Sequence, residues 1–243
     1  MNLSRSFSLR LLALATALAA FSGLALGQEA QLRKVLTERV PGIQKIDEIS
    51  KSPIPGLFEV RVNGTEILYA DAEGNHIIQG QIYDTRQRRN LTEERLEKLL
   101  AIDFASLPVK DAFTITRGDG KRRIAIFEDP NCGYCKRFEA ELQKIDNVTI
   151  YMFLYPILGK DSNDKSRNIW CAKDRVKAWS DWMLRDTNPP SAQCDTSALT
   201  RNVEFGRKHK ITGTPTMILP DGSRVPGAVS AQQVEKLLAG NKS

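Results

Sequence analysis

Residues 127–136 read Phe127-Glu128-Asp129-Pro130-Asn131-Cys132-Gly133-Tyr134-Cys135-Lys136. The apolar run from Ile124 to Phe127 predicts a buried strand, and a helical pattern begins directly after Cys132. A C-x-x-C pair on the first turn of a helix that follows a strand is typical of a thiol redox site. The stretch therefore predicts a chain that exchanges thiols and disulfides.

The two cysteines of this motif are expected to have different tasks. Thiolates attack disulfides and thiols do not, and a helix N-terminus favours a thiolate through its unpaired N–H groups and its positive dipole end. We therefore expect Cys132 to be the exposed attacking cysteine, whereas Cys135 is more buried and resolves the mixed disulfide. Gly133 and Tyr134 are expected to set the local geometry and the redox poise.

A second motif, Thr214-Pro215, precedes a strand predicted from Met217 to Leu219. A cis proline beside a C-x-x-C pair leaves the backbone of the preceding residue free to pair with an extended peptide. The two residues are therefore candidates for substrate binding. A trans proline at the start of a strand is the alternative that the sequence leaves open.

The remaining cysteines, Cys171 and Cys194, form a distant pair. A bridge between them would stabilise the fold by about 3 kcal/mol in the loop-entropy estimate. A second redox couple is the alternative, although neither cysteine follows a strand-to-helix junction. Neither a metal nor another cofactor is expected, because the distant pair lacks zinc-ligand spacing and Lys136 stands where covalent haem attachment requires histidine.

The first 27 residues have the pattern of a cleavable signal peptide. Arg5 and Arg10 precede an apolar run from Leu11 to Leu26, and Ala25-Leu26-Gly27 fits a cleavage site. A single membrane anchor is the alternative, but the run is short for a span. We expect export to an oxidising compartment, where disulfides persist. Removal of Arg5 and Arg10 with the leader lowers the net charge from +6 to about +4, which is too mild and too dispersed to indicate a nucleic-acid partner.

The region after the leader predicts a small α+β unit. A helix from Glu29 to Val40 precedes two strands joined by Asn63-Gly64, a strong hairpin signal. A third strand is predicted from His76 to Tyr83, and its exposed edge could pair with a second copy of the chain. The first two strands are predicted at Leu57 to Val62 and Thr65 to Ala70.

The rest of the chain alternates strands and helices. A helix from Leu91 to Phe104, capped by Thr92, is followed by strand, redox helix, strand, hairpin and helix, which is the thioredoxin order. One long helical stripe from Ile169 to Met183, and another helix near Leu199 to Phe205, predict an insertion. Its core is predicted to contain Trp170, Trp179 and Trp182.

Several stretches resemble the DsbC-type periplasmic protein disulfide isomerases and occur in the same order along nearly the whole mature chain. They are His76-Ile77-Ile78-Gln79-Gly80 with Tyr83-Asp84, Cys132-Gly133-Tyr134-Cys135, Trp170-Cys171-Ala172-Lys173-Asp174, Gly213-Thr214-Pro215 and Val225-Pro226-Gly227. The resemblance implies an α+β N-terminal dimerisation domain, a linker helix and an α/β thioredoxin-like domain with a helical insertion. We assign these to residues 28–87, 88–110 and 111–243, with the insertion at about 159–207.

The resemblance also implies a function. It implies a periplasmic homodimer that acts as an isomerase and chaperone on misfolded or mis-oxidised secreted proteins, is kept reduced by a DsbD-type membrane reductase, and contains a structural Cys171–Cys194 disulfide. Three alternatives stay open: a DsbG-like reductase that protects single cysteines, a dedicated electron donor for haem or copper maturation, and a non-catalytic chaperone module.

Overall fold

The computed structural model describes residues 27–240, so residues 1–26 of the predicted signal peptide lie outside the described part of the chain. The chain divides into two units, and the division falls between Leu99 and Leu100. The predicted linker helix, residues 88–110, spans this division. Among residues 27–240, no helix is both long and apolar enough to cross a bilayer.

The N-terminal unit packs one helix against an antiparallel sheet. Residues 27–39 form helix α1, whose buried face includes Leu32 and Leu36. The apolar faces of the helix and the sheet close one core, as an amphipathic helix requires. The strands are β1 (Ile46–Lys51), β2 (Leu57–Val62), β3 (Glu66–Asp71) and β4 (Ile77–Ile78), in that spatial order.

The predicted hairpin between β2 and β3 is confirmed. Asn63 and Gly64 have φ angles of 50° and 93°, the positive values that a tight hairpin turn requires. Strand β1 was not predicted, because its buried residues Ile46 and Ile49 are three positions apart. The pairing register shifts between Ile46 and Glu48, which breaks the two-residue alternation of a regular strand.

The predicted third strand is shorter than expected. Only Ile77 and Ile78 pair with β3, and β4 lies at the edge of the sheet. Among residues 27–240, no strand pairs with the outer edge of β4. The chain instead forms a small hairpin of β5 (Tyr83–Asp84) and β6 (Arg89–Asn90).

Helix α2 (Leu91–Leu100) begins at the predicted residue but differs from the prediction in its N-terminal cap and in its C-terminal end. The predicted cap by Thr92 is wrong, because the Thr92 hydroxyl accepts from Ile82 N and bonds the Tyr69 hydroxyl inside the unit. Asn90 Oδ1 accepts from Glu93 N and takes the capping role. The helix ends at Leu100, and the predicted last residue, Phe104, lies in a separate 3-10 turn capped by Asp103.

The C-terminal unit is built on a five-stranded sheet. Parallel strands lie at its centre, which requires a helical crossover between them. The helix α3 (Gly133–Leu142) makes this crossover, and α7 (Ala231–Gly240) closes the chain with a Ser230–Gln233 capping box, as predicted. The strands are β7 (Phe113–Arg117), β8 (Arg122–Glu128), β9 (Val148–Leu154), β10 (Thr216–Ile218) and β11 (Arg224–Pro226), in the order β11-β10-β8-β9-β7.

Strand β8 is buried on both faces, which explains its uninterrupted apolar sequence. Ile124 and Ile126 point into the core that contains α3, whereas Ala125 and Phe127 join a second core on the other face. Phe127 stacks on Phe153 with ring centroids 4.5 Å apart. The strand that leads to the C-x-x-C pair is therefore fixed from both sides.

The segment between β9 and β10 is helical, but the predicted single stripe from Ile169 to Met183 is wrong. It contains two helices, α4 (Lys160–Trp170) and α5 (Arg175–Arg185). Asp174 breaks the stripe, because its carboxylate accepts from Lys177 N and so caps a new helix. The further predicted helix is α6 (Ser197–Lys208).

Candidate active site

Cys132 lies at the junction between β8 and α3. It is the N-cap residue of α3, and its Sγ accepts a hydrogen bond from Cys135 N at 3.3 Å. The sulfur therefore occupies the position where a helix offers unpaired N–H groups. A negative charge that develops on Cys132 Sγ is stabilised at this end of the helix.

The two cysteines differ in burial less than predicted. Cys132 exposes only 6% of its surface, so the expectation of an exposed cysteine is wrong, and Cys135 is fully buried. Both are free thiols. Burial, followed by the charge of Glu128 and the contact with Cys132, raises the pKa of the Cys135 thiol.

The Thr214–Pro215 motif lies against Cys132. Its peptide bond is cis, and Cys132 Sγ donates to the Thr214 carbonyl at 3.3 Å. The Pro215 carbonyl accepts from Gly227 N at 2.8 Å, which anchors the motif to the residue that follows β11. The structure thus brings together Cys132, Cys135 and Thr214.

The two residues between the cysteines face outward. Gly133 is exposed, and Tyr134 exposes 62% of its surface beside the thiols. The Arg137 guanidinium lies 4.3 Å from the centre of the Tyr134 ring. An exposed aromatic ring at this position offers apolar surface to a polypeptide that approaches Cys132.

Asp129 organises the active-site loop and was not singled out from the sequence. Its buried carboxylate accepts from four donors: Asn131 N at 2.8 Å, Ile157 N at 2.8 Å, Leu158 N at 2.9 Å and Ser162 Oγ at 2.7 Å. These bonds join the loop before Cys132 to the loop that follows β9. The only signal in the sequence is an acidic residue after an apolar strand.

Trp182 is partly buried and also contacts this loop, beyond the expected role in the core of the insertion. Its Nε1 donates to the Pro130 carbonyl at 2.6 Å. The ammonium groups of Lys136 and Lys165 lie 4.0 Å and 4.6 Å from the centre of the Trp182 ring. Helix α5 therefore supports the active-site loop as well as its own core.

Two further acids, Glu128 and Glu139, are buried near the cysteines and were also not singled out. Burial raises the pKa of Glu128 well above its ordinary value, and the neighbouring Glu139 charge adds to the effect. Burial also raises the pKa of Glu139. The sequence signal is weak, because acidic side chains are ordinarily solvated on strands and helices alike.

Cys171 and Cys194 form a disulfide within the insertion, away from the C-x-x-C pair in sequence. Their Cα atoms are 5.5 Å apart, and the bridge joins the end of α4 to the segment before α6. Within residues 27–240, no cluster of three or more histidine, cysteine or acidic side chains could hold a metal ion.

Comparison with known proteins assigns both parts of the chain. Residues 109–241 match the model of a thioredoxin-like domain, and residues 23–93 match that of the disulfide bond isomerase protein N-terminal domain. A thioredoxin-like domain that holds a C-x-x-C pair at the start of its first crossover helix defines a thiol–disulfide oxidoreductase.

Named relatives support the same assignment. The chain is 41% identical to the probable thiol:disulfide interchange protein DsbC of Bordetella pertussis, over 87% of this chain and 74% of the relative. It is 32% identical to thiol:disulfide interchange protein DsbC of Escherichia coli K12, over 92% of each. A crystal structure of a disulfide interchange protein from Neisseria gonorrhoeae matches 56% of this chain and 98% of its own, with 36% identity and a TM-score of 0.53. The chain belongs to the DsbC family.

Proposed function

We propose that this chain is a periplasmic protein disulfide isomerase that attacks non-native disulfides through a reduced Cys132/Cys135 pair. The observation that carries this proposal is the environment of Cys132. Its sulfur caps α3, lies 3.3 Å from the Thr214 carbonyl oxygen, and is followed one turn later by the fully buried Cys135.

The reaction begins when the Cys132 thiolate attacks one sulfur of a substrate disulfide. The substrate S–S bond breaks, a mixed disulfide forms, and a substrate thiolate leaves. That thiolate then attacks another substrate disulfide, and a later exchange releases Cys132 as a thiolate. Isomerisation along this route needs no net electrons.

Cys135 provides the second route. It attacks Cys132 Sγ, the Cys132–Cys135 disulfide forms, and the substrate leaves with two additional electrons. Because burial raises the pKa of Cys135, this thiol ionises rarely and leaves time for rearrangement of the substrate. A DsbD-type membrane reductase would return the two electrons.

We assign substrate binding to the surface around Tyr134 and Thr214. The backbone before cis Pro215 can pair with an extended peptide, and the exposed Tyr134 ring can cover an apolar side chain. Gly133 keeps the surface open at this point, since apart from its chain neighbours and its own helix backbone no atom lies within 4 Å of a Cβ placed there. Clients are therefore misfolded or mis-oxidised secreted proteins with accessible disulfides.

We further propose a homodimer through residues 28–87, with residues 88–110 as linker and 111–243 as the catalytic domain. The edge strand β4 supports this pairing, because both of its residues, Ile77 and Ile78, are exposed and apolar. An exposed, apolar sheet edge is a template for a second strand. The leader pattern and the Cys171–Cys194 disulfide support the periplasm as the compartment.

The test is reactivation of a scrambled-disulfide substrate in a mildly reducing thiol buffer. Cys132→Ser should abolish reactivation, whereas Cys135→Ser should retain part of it and accumulate a mixed disulfide. Cys194→Ser with Cys171→Ser is the matched control for cysteine removal. Equal reactivation with and without Cys132 would refute the proposal, and reduction without reshuffling would favour a DsbG-like activity.

A further inference from the structure

Two carboxyl groups lie in the interior behind the Cys132–Cys135 pair. Glu128 is the last residue of β8 and is fully buried, and Glu139 on α3 exposes 1% of its surface. Glu139 follows Cys135 by four positions, which places both residues on one face of the helix. The reaction described above uses neither carboxyl group.

The hydrogen-bond partners of the two acids are unequal. Glu139 Oε1 accepts from Trp179 Nε1 at 2.8 Å, and the positive charge of Arg117 on β7 favours the ionised Glu139. Neither oxygen of Glu128 has a hydrogen-bond donor among the described residues. After burial, the carboxyl of Glu139 is the main cause of the raised pKa of Glu128, through its charge and through hydrogen bonding between the two carboxyl groups.

Two ionised carboxylates cannot hydrogen-bond to each other, and burying two adjacent negative charges without compensation is costly. A single proton shared by the two groups allows a hydrogen bond between them and leaves only one negative charge in the interior. Glu128 is its expected holder, because Trp179 and Arg117 already stabilise a charge on Glu139. The buried pair then consists of a carboxylic acid that donates to a carboxylate.

The cysteines interact with this pair through their charges. A negative charge on Glu128 disfavours the Cys135 thiolate, and a negative charge on Cys132 disfavours ionisation of Glu128. The charged and titratable groups that face the pair are Cys132, Cys135, Arg117 and the two glutamates themselves.

We propose that Glu128 and Glu139 are positioning residues that share one proton, and that reduction of the Cys132–Cys135 disulfide strengthens the hold of Glu128 on that proton. This inference deepens the proposed function, because it concerns the redox cycle of the same cysteines. It makes the redox equilibrium of the site depend on proton uptake by a group that never touches the substrate.

Two electrons from a dithiol donor break the Cys132–Cys135 bond, leaving a thiolate on Cys132 and a thiol on Cys135 that has taken one proton. Where Glu128 is ionised in the oxidised protein, the new Cys132 charge draws a second proton onto Glu128. At lower pH Glu128 is protonated in both redox states and takes up none.

The experiment measures the equilibrium constant of the pair against glutathione across a range of pH, for the full chain and for Glu128→Gln. The ratio of the two constants should change by about tenfold for each unit by which the Cys132 charge raises the pKa of Glu128. Glu204→Gln, an exposed acid of the same unit, is the control and should follow the wild-type curve.

Infrared difference spectra of the wild-type protein give a second readout that needs no variant. At alkaline pH, reduction should produce the carbonyl band of a protonated carboxylic acid. Glu128→Gln should abolish this band and Glu139→Gln should shift it. Parallel equilibrium curves for wild type and Glu128→Gln, or the absence of the band, overturn the inference.

These readouts are separable from the test of isomerase activity. Failure of the chain to reactivate a scrambled substrate, with a pH-dependent difference between wild type and Glu128→Gln, contradicts the proposed function and supports the shared proton. If Glu128→Gln does not fold, the infrared difference spectrum of the wild-type protein tests the inference alone: the protonated-acid band supports the shared proton, and its absence overturns it.

Discussion

The carboxylate of Asp129 accepts a hydrogen bond from the hydroxyl of Ser162 at 2.7 Å, across 33 positions of sequence. The same carboxylate accepts from the N–H groups of Ile157 and Leu158. It therefore holds the loop before Cys132 and the start of α4 in one arrangement. A strand end and a helix start are joined by a group that takes no part in thiol exchange.

Asp129→Ala is expected to destabilise the oxidised protein by about 3 kcal/mol, because it leaves buried N–H donors without an acceptor. Urea unfolding measures this loss of the free energy of unfolding. Reactivation of a scrambled substrate should also slow, since the loop that positions Cys132 loses its anchor. Ser162→Ala removes a single hydrogen bond and should cost about 1 kcal/mol. An Asp129→Ala variant no less stable than Ser162→Ala would contradict the anchoring role.

Removal of the Cys171–Cys194 disulfide by a double substitution to alanine is expected to cost about 3 kcal/mol, because the bridge closes a loop between residues 23 apart. Urea unfolding under non-reducing conditions measures the change. Cys132 should keep its reactivity towards a thiol reagent in the folded variant. A loss well below 1 kcal/mol would show that the unfolded chain gains little freedom there.

Ile78→Asp is expected to convert the proposed dimer to a monomer, because it places a charge on the exposed edge strand β4. Light scattering of the full chain measures the mass. Ile54→Asp is the matched control, since Ile54 is 45% exposed and Ile78 52%, and Ile54 lies in the turn between β1 and β2. A dimer that survives Ile78→Asp but not Ile54→Asp would place the interface elsewhere.

The sequence predicted those elements whose signal is local. The Asn63-Gly64 hairpin and the Ser230–Gln233 capping box depend on residues a few positions apart, and both are present. The apolar run before Cys132 predicted β8 because a strand buried on both faces needs no alternation.

The predictions were wrong where long-range contacts, or competing local ones, determine where an element begins or which residue caps it. A bulge in β1 breaks the alternation of Ile46 and Ile49, and Asp174 caps a new helix within an unbroken apolar stripe. Thr92 is a good cap by composition, but its hydroxyl is used by Ile82 and Tyr69 instead. None of these partners can be identified from spacing alone.

In the candidate site, too, the features with a local sequence signal were predicted and those that depend on distant contacts were not. The thiols and Thr214-Pro215 form motifs and were predicted, whereas Asp129, Glu128 and Glu139 depend on partners distant in sequence. Glu128 at the end of β8 and Glu139 on α3 are both buried because the crossover helix packs against the sheet, and no composition rule reveals this. Buried acids are therefore the part of this site that required the structure.

Glu128→Gln is expected to change how stability depends on pH. Glu128 has its pKa raised in the folded protein, by burial first and then by Glu139, from an ordinary value of 4.5. Between 4.5 and the raised value, the folded protein holds a proton that the unfolded chain has released. The stabilisation that this proton supplies is full below 4.5 and is lost as the pH rises through the folded pKa.

Glutamine mimics the protonated acid, because its amide can donate to Glu139 and does not titrate in this range. Wild type and Glu128→Gln should therefore have similar free energies of unfolding near pH 4, and the variant should become the more stable protein as the pH rises. Urea unfolding of the oxidised forms measures the difference, since oxidation removes the titration of the Cys132 and Cys135 thiols. A constant difference across this range would mean that Glu128 has an ordinary pKa, and a variant that loses stability relative to wild type with rising pH would reverse the sign of the shift.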